Sequence, residues 1–267
     1  MHDELEIEHY PAHQTPCHPP LLFLHGGWHG AWCWTPHFAP FFQRTHDVVL
    51  MSLRGHGHRT ERNHHPTHTL KEYAQDLQTV IGTLNQPPII IAHSMGGLIA
   101  QKYLDMFGDT SISGLFLMGS LPVRGSWKLI LQPFFLKRIF RSIQLLVLSN
   151  AEQAFKDRSF LKGMFFSKQF PDDMLPTYAD NLRNESRLII VQLVLSGIKL
   201  YSDKNIPVGV MGGLYDMIIS KKITDAIATY MHTQAVYVPT AHDFMLDTHW
   251  QTAANHLLTW IKDNFDE

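Results

Sequence analysis

The chain is 267 residues long, 45% apolar, 17% charged and 11% aromatic, a globular composition well outside the disordered class. Its 22 basic and 24 acidic side chains give a formal net charge of -2, which offers no electrostatic hold on nucleic acid and excludes it as an expected partner. Cys17 and Cys33 are the only cysteines, too few for a disulfide framework or a multi-thiolate zinc site.

The N-terminal MHDELEIEHYPAH carries neither a positive leader nor an apolar stretch of the secretory kind. Within it, the alternation of ELEIEHY predicts an antiparallel edge strand. LLFLHGG (21–27) and HDVVLMSL (46–53) follow as short, continuously apolar runs, the pattern of strands buried on both faces of a parallel sheet. RGHGHRTERNHHPTH (54–68) is a solvated loop rich in histidine, with Glu61 its only carboxylate and no cysteine, so no metal site is expected. Leu70, Tyr73, Ala74, Leu77, Val80, Ile81 and Leu84 then repeat at helical spacing, with Thr69 and Glu72 placed as a capping box.

PPIIIAHS (87–94) is the third buried run and ends on Ser94, followed at once by a helical pattern; ISGLFLMGS (112–120) is the fourth. The alternation then stops. Residues 121–203, rich in Phe, Leu, Ile and Lys/Arg, read as several helices without strands, with a turn at PDDMLP (171–176). PVGVMGG (207–213) and QAVYVPTA (234–241) resume the strands, separated by the stripe of Ile223, Ala226, Ile227 and Tyr230. Trp250, Ala253, Ala254, Leu257, Leu258 and Ile261 mark a last helix. Strand alternating with helix predicts an α/β fold with a mostly parallel sheet. Its core spans 1–120 and 204–267, with 121–203 inserted as a helical cap. No run reaches the roughly 18 to 20 apolar residues of a membrane span. The expectation is a soluble, cytoplasmic protein without stable membrane insertion.

Ser94 is the first candidate for chemistry. A sharp strand-to-helix elbow needs small residues two positions either side of its serine, and Ala92 and Gly96 supply them. A serine hydroxyl attacks only when a base takes its proton and a carboxylate orients that base. His242 in VPTAHDFMLD and Asp216 in GGLYDMIIS each follow a predicted strand, so all three side chains fall at the carboxyl edge of the sheet. Asp243 is the rival carboxylate, but a sequence neighbour of His242 is directed away from the imidazole, and Asp216 is preferred. Asp247 is expected to cap the last helix.

From LLFLHGGWHGAWCW to AHDFMLDTHW the chain resembles the α/β-hydrolase superfamily over residues 20 to 120 and 205 to 265, with little likeness in the insert. The resemblance implies a capped serine esterase or lipase with no cofactor and no metal, acting on a small-molecule ester. Its oxyanion hole would take one backbone N–H from Gly27 in HGGW and one from Met95. RGHG also matches a loop common in the superfamily, so Arg54 and His56 are read as structural. Trp28 and His93 are expected to touch substrate, Trp32 and Trp34 to pack, and Phe134, Phe135, Phe140, Phe165 and Phe166 to roof an apolar pocket. HGGWHGAW is also similar to the corresponding loop of plant hydroxynitrile lyases and methylesterases. The lyases carry threonine and lysine where this chain has Gly26 and Asp243, which disfavours lyase chemistry. A receptor-like protein that keeps its triad and turns over slowly is the other alternative.

Overall fold

The computed structural model describes residues 5–14, 18–58, 67–123, 133–148, 150–195 and 205–266. The strands are β1 (Glu6–Tyr10), β2 (Leu21–Leu24), β3 (Val48–Ser52), β4 (Ile89–His93), β5 (Gly114–Met118), β6 (Val208–Gly213) and β7 (Ala235–Val238). They form one seven-stranded sheet in the order β1-β3-β2-β4-β5-β6-β7. Only β1, at the edge, runs antiparallel to its neighbour; every other pair is parallel. The central strands β2 to β5 are buried at every position, which is why their sequences are continuously apolar rather than alternating. Burying a side chain such as Ile90 contributes about 1.5–3 kcal/mol against the entropy of ordering the chain. β1 and β7 keep one side partly open, as edge strands do.

The helices before the insert are α1 (Phe38–Phe42), α2 (Leu70–Ile81) and α3 (Met95–Phe107). α2 starts as its sequence predicts: the Glu72 N–H donates to Thr69 Oγ1 at 3.3 Å, and the Thr69 N–H donates to the Glu72 carboxylate at 2.8 Å. Between β5 and β6 lie α4 (Pro133–Lys137), α5 (Ile139–Leu146), α6 (Ala151–Phe155), α7 (Arg158–Phe165), α8 (Leu175–Asn181) and α9 (Arg187–Leu195). No strand occurs among the described residues of this stretch. The turn expected at PDDMLP is a single 3-10 turn, Asp172–Met174, running into the first turn of α8. The chain closes with α10 (Lys221–Tyr230) and α11 (Trp250–Phe265). Among the described residues no helix is long and apolar enough to cross a membrane.

Two expectations about packing are corrected. Phe134, Phe135, Phe165 and Phe166 are buried as expected, but Phe140 is 82% exposed on α5 and roofs nothing. Asp247 does not cap α11, whose cap residue is His249. It is fully buried and accepts from the N–H groups of Ser167, Ala241 and Thr248 and from the Ser167 hydroxyl. A carboxylate surrounded by that many donors stitches the loop after β7 to the end of α7.

Sheet register sets the site. Leu24 pairs with Ala92, His93 with Met118, Met118 with Met211, and Gly213 with Val238. The carboxyl ends of five strands therefore finish almost level, and the loops that leave them emerge side by side.

Candidate active site

Ser94 joins β4 to α3 with φ 52 and ψ -115, one of three non-glycine residues with positive φ among those described. Such a backbone costs of order 1–3 kcal/mol and persists only where its surroundings impose it. Here they do. The Ser94 N–H donates to Met118 O at 3.0 Å, and Ser94 O accepts from Leu121 N at 3.0 Å and Gly97 N at 3.1 Å. The elbow also demands missing side chains: a Cβ on Gly96 would lie 2.5 Å from His25 O, and one on Gly26 would lie 2.9 Å from Ser94 Cβ.

The three residues picked out along the sequence meet. Ser94 Oγ lies 2.9 Å from His242 Nε2, and His242 Nδ1 lies 2.8 Å from Asp216 Oδ2. The other Asp216 oxygen accepts the N–H groups of Ile218 and Ile219, both at 2.8 Å, so the carboxylate is held at both oxygens. Its neighbours donate to it, so the His242 Nδ1 carries the proton and Nε2 faces the hydroxyl as an acceptor. Burial pushes the His242 pKa down, but Asp216 and then Asp243 outweigh it, and the net direction is above the ordinary imidazole value. Ser94 itself is 8% exposed.

Asp243 has a different partner from the one its sequence neighbour suggests. Its Oδ2 lies 2.9 Å from His29 Nε2, both side chains buried, while the Asp243 N–H donates to Phe165 O at 2.9 Å. The His242 and Asp243 side chains thus go to different partners, Asp216 and His29.

The loop after β2 lies against the elbow. A Cβ on Gly27 would sit 3.9 Å from Met95 Sδ, so the loop after β2 packs against the Met95 side chain at the start of α3. Met95 is the first residue of α3, whose N–H has no partner within the helix. His25 accepts the Leu53 N–H at Nε2 (2.9 Å) and donates from Nδ1 to Gly26 O (2.7 Å). That pattern requires the neutral ring, and burial followed by the nearby His56 pushes its pKa well down.

His93 is not at the substrate face. Its ring is buried behind His242, 4.8 Å between centroids, with Nε2 at 2.9 Å from the His242 carbonyl; burial and then His242 keep it neutral. It holds the backbone of the loop that carries His242. Trp28 is half-buried with φ 66, its indole 6.2 Å from Phe155 and 6.3 Å from Phe165, between the loop after β2 and helices α6 and α7. Trp32 and Trp34 are buried, as expected of packing residues. Arg54 pairs with Asp76, and His56 with Glu185.

Glu185 was not foreseen. Its partners Trp28, His56 and Tyr73 stand 157, 129 and 112 residues away, and nothing in RNESR marks it as different from any surface glutamate. Residues 59–66 of the histidine-rich loop lie outside the described residues, and among those described no group of three or more His, Cys, Asp or Glu is placed to hold a metal ion.

The chain is similar to known proteins over part or most of its length. A segment of 104 residues is 31% identical to methylesterase 9 of Arabidopsis thaliana, covering 38% of this chain and 40% of that protein. Another of 87 residues is 39% identical to protein phosphatase methylesterase 1 of Bos taurus, covering 31% of this chain and 23% of that one. The match thus spans less than half the length of either relative. Among solved structures, the fold superimposes on the esterase RhEst1 of Rhodococcus sp. ECU1013 with a TM-score of 0.76 at 16% identity, over 97% of this chain and 95% of that one. It superimposes on a bromoperoxidase of Bacillus anthracis with a TM-score of 0.74 at 17% identity, over 97% and 95% of the two chains. At such identity these two establish the fold alone. Residues 21–256 match the model of the alpha/beta hydrolase family, and the chain belongs to that family.

Proposed function

We propose that the protein is a serine hydrolase that cleaves a carboxylic ester, or a related acyl bond, of a small to medium apolar substrate. The observation that carries this is the unbroken chain from Ser94 Oγ through the His242 imidazole to Asp216. His242 Nε2 takes the Ser94 proton as Oγ attacks the carbonyl carbon, and the carbonyl electrons move onto its oxygen. The Gly27 and Met95 N–H groups receive that oxyanion, where losing one donor costs about 3 to 4 kcal/mol. Collapse expels the alcohol, protonated by His242, and leaves Ser94 acylated. Water then repeats the sequence, with His242 as base, to release the acid. These steps draw only on the chain's own groups, and no cofactor enters them.

Residues 121–203 act in this reading as a cap over the core formed by 1–120 and 204–267. Support comes from Phe165 of α7, whose ring lies 6.4 Å from that of His242 and 5.1 Å from that of His29. Trp28, Phe155 and Phe165 then give the acyl or alcohol group an apolar wall. The relatives named methylesterases favour an ester as the bond cleaved.

A fluorophosphonate probe should label the native protein at Ser94 and at no other serine, read by intact mass and peptide mapping. Labelling that survives Ser94→Ala would overturn the assignment. The pH profile follows from the same geometry. His242 must be neutral to act, and Asp216 holds its proton on, so activity is switched off below the raised pKa and on above it. The acid limb of kcat/KM should therefore centre above the unperturbed imidazole value of about 6.5 and level off toward mild alkali. A limb centred below that value would mean that burial wins over the carboxylate.

A further inference from the structure

Two consecutive glycines give the loop after β2 no conformational preference of its own, so the direction of the Gly27 N–H is set by whatever holds the peptides on either side. The C=O and N–H of a trans peptide point in opposite directions. On one side, His25 Nδ1 donates to Gly26 O at 2.7 Å, which turns the N–H of that peptide, the Gly27 N–H, away from His25. On the other side, the Gly27–Trp28 peptide is gripped at both ends. His29 Nδ1 lies 2.7 Å from Gly27 O, and the Trp28 N–H donates to Glu185 Oε2 at 3.3 Å. Glu185 lies between α8 and α9, in the helical insert.

We propose that Glu185 is a positioning residue of the oxyanion loop: by accepting the Trp28 N–H it locks the Gly27–Trp28 peptide, reserves the Gly27 N–H for the substrate oxygen, and ties the helical insert to the rate of the chemical step. The inference rests on the hydrolase reading of Ser94. Glu185 is built for the task. Its side chain is 2% exposed, and its contacts are with Trp28 N, His56 Nε2 at 3.1 Å, Tyr73 Oη at 3.3 Å and Ser186 N at 2.8 Å. Burial pushes its carboxyl up, yet His56 and the backbone donors outweigh that and hold it below the usual range, so it stays an acceptor at both oxygens. Its Oε2 would lie 3.5 Å from a Cβ on Gly27, close to where an oxyanion forms. The same oxygen is held by His56 Nε2 at 3.1 Å.

A merely structural role and a positioning role separate in kinetics. A trifluoromethyl ketone adds to the Ser94 oxygen, its carbonyl oxygen becoming the anion and the Ser94 proton passing to His242, so its affinity reads the oxyanion site directly. With p-nitrophenyl acetate as substrate, Glu185→Ala is expected to lower kcat by about 30- to 100-fold, as for a small misplacement of a reacting group, with KM within about threefold. Ketone affinity should fall in parallel. Glu185→Gln should recover most of both, because its amide oxygen can still face the Trp28 N–H. If Glu185→Ala is not obtained folded, Glu185→Asp takes its place, its carboxylate drawn back by one methylene from the Trp28 N–H, and it should likewise fall below Glu185→Gln. Unchanged kcat, a loss of kcat with ketone affinity intact, or a glutamine variant no better than the alanine or aspartate one would each overturn the proposal. A wild type that neither turns over the ester nor is labelled at Ser94 would overturn the hydrolase reading, and this inference with it.

Discussion

Replacing Ser94 by alanine is expected to lower kcat for p-nitrophenyl acetate by roughly 10⁵ to 10⁶, close to what removing the nucleophile of a serine triad costs. The loss is large because the attacking oxygen itself is removed: His242 Nε2 faces Ser94 Oγ at 2.9 Å and its Nδ1 is committed to Asp216. The variant should fold. Alanine removes a hydroxyl and keeps the Cβ, and the backbone hydrogen bonds that impose φ 52 at this position are untouched. Neither protein should respond to added zinc or to a chelator. Turnover that persists in Ser94→Ala and is lost to a chelator would instead place the chemistry on a metal held by the histidine-rich loop and would overturn the serine mechanism.

The second large effect concerns the carboxylate. Asp216→Asn should cut kcat by about 10³ to 10⁴ in a folded protein, because an amide that donates to Nδ1 favours the tautomer whose Nε2 carries the proton and cannot act as base. Asparagine can still accept the Ile218 and Ile219 N–H groups through its oxygen, so the loop is expected to hold. Asp243→Asn should cost no more than about tenfold in kcat, about 1.4 kcal/mol of barrier, because its partner is His29 and its influence on His242 is electrostatic only. Steady-state kinetics on the two variants, with circular dichroism to confirm folding, decides between them. Reversed magnitudes would mean that the orienting acid is Asp243.

Much of this site was legible along the chain because its signals are local. Continuous apolar runs specify strands buried on both faces, and β2 to β5 are those strands. Ala92, Ser94 and Gly96 announce a tight elbow because a close backbone approach admits only small residues, and a Cβ on Gly96 would lie 2.5 Å from His25 O. Asp216 and His242 were placed by the rule that loops at the carboxyl ends of parallel strands meet. Thr69 and Glu72 likewise carry their cap within one turn.

What failed were readings that depend on direction rather than pattern. Periodicity put Phe140 with the other phenylalanines, yet only the packing of α5 decides which of its faces is covered, and Phe140 lies on the open one. Asp247 precedes a helix and looked like its cap, but the fold of the loop carries its carboxylate inward to Ser167 and Ala241. His93 adjoins the serine, and because successive residues of a strand face opposite sides it lies behind His242 instead of in front of it.

The sequence by itself determined the α/β alternation, the elbow serine, and the aspartate and histidine that come to meet it, since each is written in a handful of adjacent residues. Only the tertiary structure decided that Asp243 serves His29, that Trp28 lies against Phe155 and Phe165, and that Glu185 reaches the loop after β2 from 157 residues away. The physical reason is that burying a carboxylate requires donors from every side, and those donors come together only when the whole chain has folded around it.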